Sequence, residues 1–265
     1  VSRLTAAFDT LRARGRKGLV TYVTAGDPDV TRSAAILRAL ARGGADVIEV
    51  GVPFSDPLAD GPAIQRATER ALAAGSDLAV ALDLIDAARP GVAAPIVIFS
   101  YVNPILRMGL DAFVDRAAEA GVDGVLLLDL PIEEAAATRA ALDRRGIDQI
   151  FLVSPTTTDA RLAEAARLGR GFLYAISRLG VTGAQATVAA TAAPLVRRIR
   201  AVSTLPVALG FGISQPEQVR LVWSFADAAV VGSAIVDVVA RAAAGGEDPA
   251  AAVEAFVRWL KGQPT

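Results

Sequence analysis

The stretch ADVIEVGVPFSDPLADGPAIQ, Ala45–Gln65, decides how the rest of the chain is read. It begins as a short run rich in Val and Ile, Asp46–Val52, the pattern of a strand buried on both faces. Glu49 stands in the middle of that run. A carboxylate there is costly unless it is paired, protonated or used. The strand runs into a Pro/Gly/Asp-rich loop, Pro53–Pro62, which carries Asp56 and Asp60. Asp60 lies eleven residues after Glu49, at the mouth of the next helix. One carboxylate on a rigid strand and a second on the adjoining loop form a candidate acid–base pair. Side chains alternate along a strand, so Val47, Glu49 and Gly51 share one side. If that side faces the interior of a sheet, desolvation raises the pKa of Glu49 until it can both take and give a proton near neutral pH. The alternative is a structural Glu bonded to a neighbouring hydroxyl or amide. Asp60, ahead of Gly61-Pro62, can equally cap the following helix. Asp56 can equally be a turn residue.

The same strand-then-helix grammar repeats on either side. Further strands are predicted at Leu19–Thr24, Pro95–Tyr101, Gly124–Asp129, Gln149–Val153, Gly171–Ser177, Pro206–Gly210 and Ala228–Val231. Helices follow each of them, a further one, Ser2–Arg14, precedes the first, and extra helices lie between and at the end. A long loop is expected over Arg178–Thr191, and Val102-Asn103-Pro104 is expected to break the third strand into a loop. No change in composition divides the 265 residues, so one domain is expected. Eight such units in a chain of this length predict a closed (β/α)8 barrel of the TIM type, with an extra N-terminal helix. A doubly wound open sheet is the alternative.

Absences narrow the chemistry. The sequence has no Cys and no His, and its two lysines, Lys17 and Lys261, stand near its ends. Disulfides, thiol nucleophiles, His-based triads and His/Cys zinc sites are thereby removed. A Schiff-base lysine is disfavoured, since neither Lys lies beside a loop motif. Acids, Tyr, Ser/Thr, Arg and main-chain groups remain. A net charge of −1 without a basic block argues against nucleic acid or a charged membrane surface. No apolar run is long enough to span a bilayer, and the first residues lack the apolar core of a secretory signal, so a cytoplasmic location is expected.

In such a barrel, function gathers at the C-terminal ends of the strands. There the last three loops carry Gly183, Gly212 and Gly232-Ser233. Glycine lets the backbone approach a ligand, and a helix starting at Gly232-Ser233 offers free N–H groups to a phosphate. Their bland reading is turn glycines and an N-cap serine. Tyr174 shares a strand side with Phe172 and is placed to bond a carboxylate, or is simply core. Tyr22, Phe99 and Phe211 line an apolar pocket for a flat ligand, or are core as well.

Taken together, these motifs resemble the tryptophan synthase alpha subunit family. The resemblance is carried by YVTAGDPD at Tyr22–Asp29, IEVGVPFSDPLADGPAIQ at Ile48–Gln65 and GVDGVLLLDLP at Gly121–Pro131. It continues with SRLGVTGA at Ser177–Ala184, GFGIS at Gly210–Ser214 and VVGSAIV at Val230–Val236. It implies a (β/α)8 barrel that cleaves indole-3-glycerol phosphate by a retro-aldol step to indole and glyceraldehyde 3-phosphate. Glu49 and Asp60 are then the catalytic acids, with Tyr174 beside Glu49. Gly183, Gly212, Gly232 and Ser233 bind the phosphate. Tyr22 and Phe99 belong to the indole-pocket region, where Tyr22 stands in place of a common Phe, and Phe211 completes the apolar wall read above. Thr182 helps to place Asp60 when its loop closes. The resemblance also implies an alpha2beta2 assembly with a beta subunit. The contacts expected are Ser55–Asp60 with Asp56, the Asn103-Pro104 loop, and Arg178–Gln185. No cofactor is implied in this chain; pyridoxal phosphate is expected only in the beta subunit. Two alternatives are a free-standing indole-3-glycerol-phosphate lyase and a barrel that serves only as a non-catalytic allosteric partner.

Overall fold

The computed structural model describes residues 1–176, 185–210 and 212–263, the side chains of 185–191 excepted. Eight parallel strands close a barrel in chain order. They are β1 (Gly18–Thr24), β2 (Val47–Gly51), β3 (Ile96–Ser100), β4 (Gly124–Leu127), β5 (Asp148–Val153), β6 (Leu173–Ile176), β7 (Val207–Gly210) and β8 (Ala228–Val231). β8 pairs back onto β1, with Val20 opposite Val230. The helices described are α1 (Arg3–Ala13), α2 (Val30–Gly43), α3 (Pro62–Ala73), α4 (Leu78–Ala88), α5 (Val102–Met108) and α6 (Leu110–Glu119). They continue with α7 (Ala135–Asp143), α8 (Asp159–Leu168), α9 (Gln185–Val202), α10 (Pro216–Trp223), α11 (Ser233–Gly245) and α12 (Pro249–Leu260). The closed-barrel expectation holds, and the open sheet is set aside.

Two concentric cores follow from strand alternation. Outward residues such as Leu19, Ile48, Ile98 and Val125 pack against Ile36, Leu40, Ile85 and Phe113 of the surrounding helices. Inward residues such as Val20, Val47, Val97, Leu126, Ile150 and Phe172 fill the barrel itself. α1 closes the end where the strands begin. Its Leu4, Phe8 and Leu11, spaced for one helix face, enter the inner core, and Phe8 meets Phe172 at 5.6 Å between ring centres. Gly124 makes room for this plug: a Cβ there would lie 2.7 Å from Leu4 Cδ1. Around the same rim, aspartates just ahead of three even strands, β2, β4 and β8, accept N–H groups at the start of the strand before. Asp46 takes the amide of Leu19, Asp123 that of Ile96 and Asp227 that of Val207, at 2.8, 2.8 and 3.0 Å. Backbone donors that would otherwise be orphaned under the plug are thus satisfied.

Four local expectations are corrected. Asn103 and Pro104 do not lie in a loop but in α5. Pro104 sits in its first turn, where no intrahelical N–H is needed. Asp60 does not cap α3, because Gly61 occupies the N-cap and Pro62 the first helical position. Ser233 is likewise the first residue of α11, not its cap, which is Gly232. The loop expected to reach Thr191 ends earlier, since α9 already begins at Gln185 and runs through Pro194. Its alanine-rich sequence favours helix strongly enough to carry the proline.

Candidate active site

Glu49 points into the barrel one layer above Val47. It lies opposite Tyr22 of β1 and Val97 of β3. Its side chain is fully buried, and neither carboxyl oxygen has a hydrogen-bond partner. Burial alone pushes its pKa from the ordinary 4.5 to about 8. A protonatable group without a bonding partner, held on a strand near the functional end of a barrel, is a poor structural choice and a good proton carrier. In the ligand-free structure Glu49 is thus not tied to a neighbouring hydroxyl or amide.

Asp60 enters from the loop between β2 and α3 and is half-buried. The hydroxyl of Tyr101 donates to its Oδ2 at 3.3 Å, and the Ala59 N–H donates to that hydroxyl at 2.9 Å. Burial raises the Asp60 pKa, and the Tyr101 bond pulls it back. Tyr101 was missed in the sequence, where it read only as the end of a strand. Its signal was alternation: it continues the side of Phe99 just beyond the C-terminal end of β3, where site residues gather.

Three aromatic rings wall the same space. Tyr22 meets Phe99 edge to face at 5.3 Å, and Phe99 meets Tyr174 at 6.4 Å. Tyr22 and Tyr174 are buried, and the field of Glu49 reaches both hydroxyls. For each, burial is the main cause of a raised pKa. The chain has three tyrosines, and all three come to this one end of the barrel. Leu128, Leu152 and Ile176, which the sequence reading did not single out, add apolar wall on the inner side of β4, β5 and β6.

The candidate phosphate end is partly described. Gly232 and Ser233 open the thirteen-residue helix α11, whose first free amides face the strand ends. Gly232 lies beside Tyr22, whose Cβ is 3.5 Å from the place a Cβ on Gly232 would take. Gly212 has a φ of +79°, which favours glycine, and open space beside it. Gly183, Thr182, Arg178 and Phe211 lie outside the described residues. On the rim, Asp56 and Asn103 are exposed and Pro104 is half-buried. Among the described residues no group of three or more acids could hold a metal ion.

Comparison with known proteins gives the family. Residues 8–263 match the family model described as tryptophan synthase alpha chain. The tryptophan synthase alpha chain of Geobacter sulfurreducens is 51% identical over 241 residues, covering 91% of each chain. That of Phenylobacterium zucineum is 50% identical over 260 residues, covering 98% of this chain and 94% of the relative. Among solved structures, the tryptophan synthase subunit alpha of Legionella pneumophila superposes with a TM-score of 0.89 at 36% identity, covering 98% and 97% of the two chains. A chain of tryptophan synthase from M. tuberculosis does so with a TM-score of 0.88 at 39% identity, again over 98% and 97%. The chain belongs to the tryptophan synthase alpha chain family.

Proposed function

We propose that this protein is a lyase of tryptophan biosynthesis that cleaves indole-3-glycerol phosphate to indole and glyceraldehyde 3-phosphate. The observation that carries the reading is Glu49: a fully buried, unpartnered carboxyl on the inner face of β2, below a loop that brings in Asp60. The bond to be broken joins indole C3 to the glycerol chain. C3 gains a proton, which makes the ring an electron sink. Asp60 accepts a hydrogen bond from the indole N–H and offsets the positive charge that develops there. Glu49 takes the proton of the glycerol hydroxyl next to the bond. The O–H electrons become the aldehyde C=O, and the C–C electrons neutralise the ring. One proton is added and one removed, so a single carboxyl near pKa 8 suits both transfers. Tyr22, Phe99 and Tyr174 form the wall for the ring. Gly212, Gly232 and Ser233 hold the phosphate through main-chain amides.

The indole passes to a beta subunit in an alpha2beta2 assembly. Leu58 and Leu106 are 94% and 66% exposed. They belong to the same two segments as Phe54, Pro104, Arg107 and Met108, which line one groove, and this fits a protein partner at the Asp56 and Asn103-Pro104 rim. We assign no cofactor to this chain, and a cytoplasmic location is the reading that suits its biosynthetic role. No described helix is long and apolar enough to cross a membrane.

Turnover of indole-3-glycerol phosphate tests the reading. Glu49→Gln and Asp60→Asn are each expected to lose at least ~10²-fold in kcat while keeping the fold. Near-full turnover in either variant sinks that assignment. Size-exclusion of the chain with and without the beta subunit tests the partner.

A further inference from the structure

Glu49 lacks a hydrogen-bond donor in the structure, yet a carboxyl that serves as a base must ionise. An ionised carboxylate buried without a donor is strongly disfavoured. The nearest strand supplies a hydroxyl. Tyr22 is the register partner of Glu49 on β1, and its own partner is Thr24 Oγ1 at a long 3.4 Å. Its ring lies over β2 at Gly51, where a Cβ would overlap the hydroxyl and the ring carbons beside it. Gly51 thus leaves a berth for this hydroxyl two residues above Glu49 on the same strand side. The edge-to-face contact with Phe99 at 5.3 Å holds the ring in that berth. A hydroxyl buried with one weak bond beside a carboxyl with none is an incomplete pair.

We propose that the Tyr22 hydroxyl is the hydrogen-bond donor that holds Glu49 in its ionised form during turnover, with Gly51 as the space that lets it reach. Tyr22 is thereby a positioning residue for Glu49 in this chain. The titratable groups around Glu49 among the described residues are Tyr22 from β1 and Tyr174 from β6, and Asp60 and Tyr101 in turn act on Tyr22. β3 presents only Val97 and Phe99. Tyr22 is favoured over Tyr174 because β1 adjoins β2, whereas β6 lies across the barrel.

The inference deepens the reading of Glu49 as the general base, so its test has an arm that needs no turnover. Glu-selective ¹³C NMR follows the Glu49 carboxyl in the ligand-free protein, with Glu49→Gln identifying the resonance. In Tyr22→Phe the Glu49 pKa is expected to rise by about one unit, because a donor to the charged form is gone. In the kinetic arm, the Glu49 carboxylate left after C3 is protonated loses its donor, and kcat falls about tenfold while KM changes less than about twofold. A Glu49 titration unmoved in Tyr22→Phe overturns the proposal, as does a loss confined to KM, or a shift produced by Tyr174→Phe alone. A protein that shows the NMR shift but turns over no indole-3-glycerol phosphate retains the Tyr22–Glu49 pairing and loses the functional reading.

Discussion

Glu49 couples activity to stability because one feature, burial without a partner, sets both. Its pKa rises from the ordinary 4.5 to about 8 on folding. Between those values the native protein holds a proton that the unfolded chain has released. Stability therefore falls as pH rises through this window and levels off above pH 8. Glu49→Gln cannot titrate, so it escapes the penalty. Its melting temperature is expected to exceed that of the wild type by a margin that widens from about pH 4.5 to 8 and then stays constant. Thermal melts across that range check this; a constant margin would mean that the carboxyl is hydrated or paired in solution. Tyr101 acts on the other acid. Tyr101→Phe removes the donor at 3.3 Å from Asp60 Oδ2 and leaves the Ala59 N–H without its acceptor. The Asp60 pKa, already raised by burial, is expected to rise further. Steady-state kinetics should show kcat down by about tenfold, the scale of one hydrogen bond to a charged group.

At the scale of elements, α3 matters because Asp60 lies at its entrance. The helix is tied to the turn after β1 by a bidentate pair, Arg70 to Asp27, at 2.7 and 3.0 Å. Burial pushes the Asp27 carboxyl up in spite of this pairing, whereas at the more exposed Arg70 the bond to Asp27 outweighs burial and raises its pKa. Asp27→Asn keeps the shape and loses the charge. Urea unfolding should register a loss of about 1–3 kcal/mol, and kcat should fall as the Asp60 loop loosens. An unchanged kcat would show that the loop is held by Tyr101 alone. Asp27 also marks a limit of reading from sequence. In Ala25-Gly26-Asp27-Pro28 it reads as a turn that stops a strand, and nothing local announces an arginine 43 residues away. Tyr101 was illegible for the same reason: its bond crosses from the end of β3 to the loop after β2. Glu49, by contrast, was legible, since its inward direction follows from alternation with Val47 and Gly51. The order of strands and helices was legible too, because period and Gly/Pro punctuation are local. Asn103-Pro104 misled as a turn signal, because a proline in the first turn of α5 resembles one that breaks a strand.

In the whole molecule the two ends of the barrel divide the work. One end holds the acids, the tyrosines and the start of α11; the other is sealed by α1 and ringed by aspartates that accept backbone N–H groups. The end where strands begin should then govern stability, and the end where they finish should govern chemistry. Phe8 tests the division, since it is buried against Phe172, which is separated from Tyr174 by one residue of β6. Phe8→Ala is expected to lose about 3–5 kcal/mol of stability, a fall of roughly 6–20 °C in Tm. Well below the melt its kcat should stay within about twofold of the wild type. Asp60→Asn should do the reverse, with turnover lost and Tm barely moved. Calorimetry and kinetics on the two variants check both halves. If Phe8→Ala instead lowered kcat in the folded protein, the cavity left under Phe172 would have let the layer above it sink. Tyr174 and Glu49 would then depend on the plug for their height in the barrel, and the two ends would be one mechanical unit.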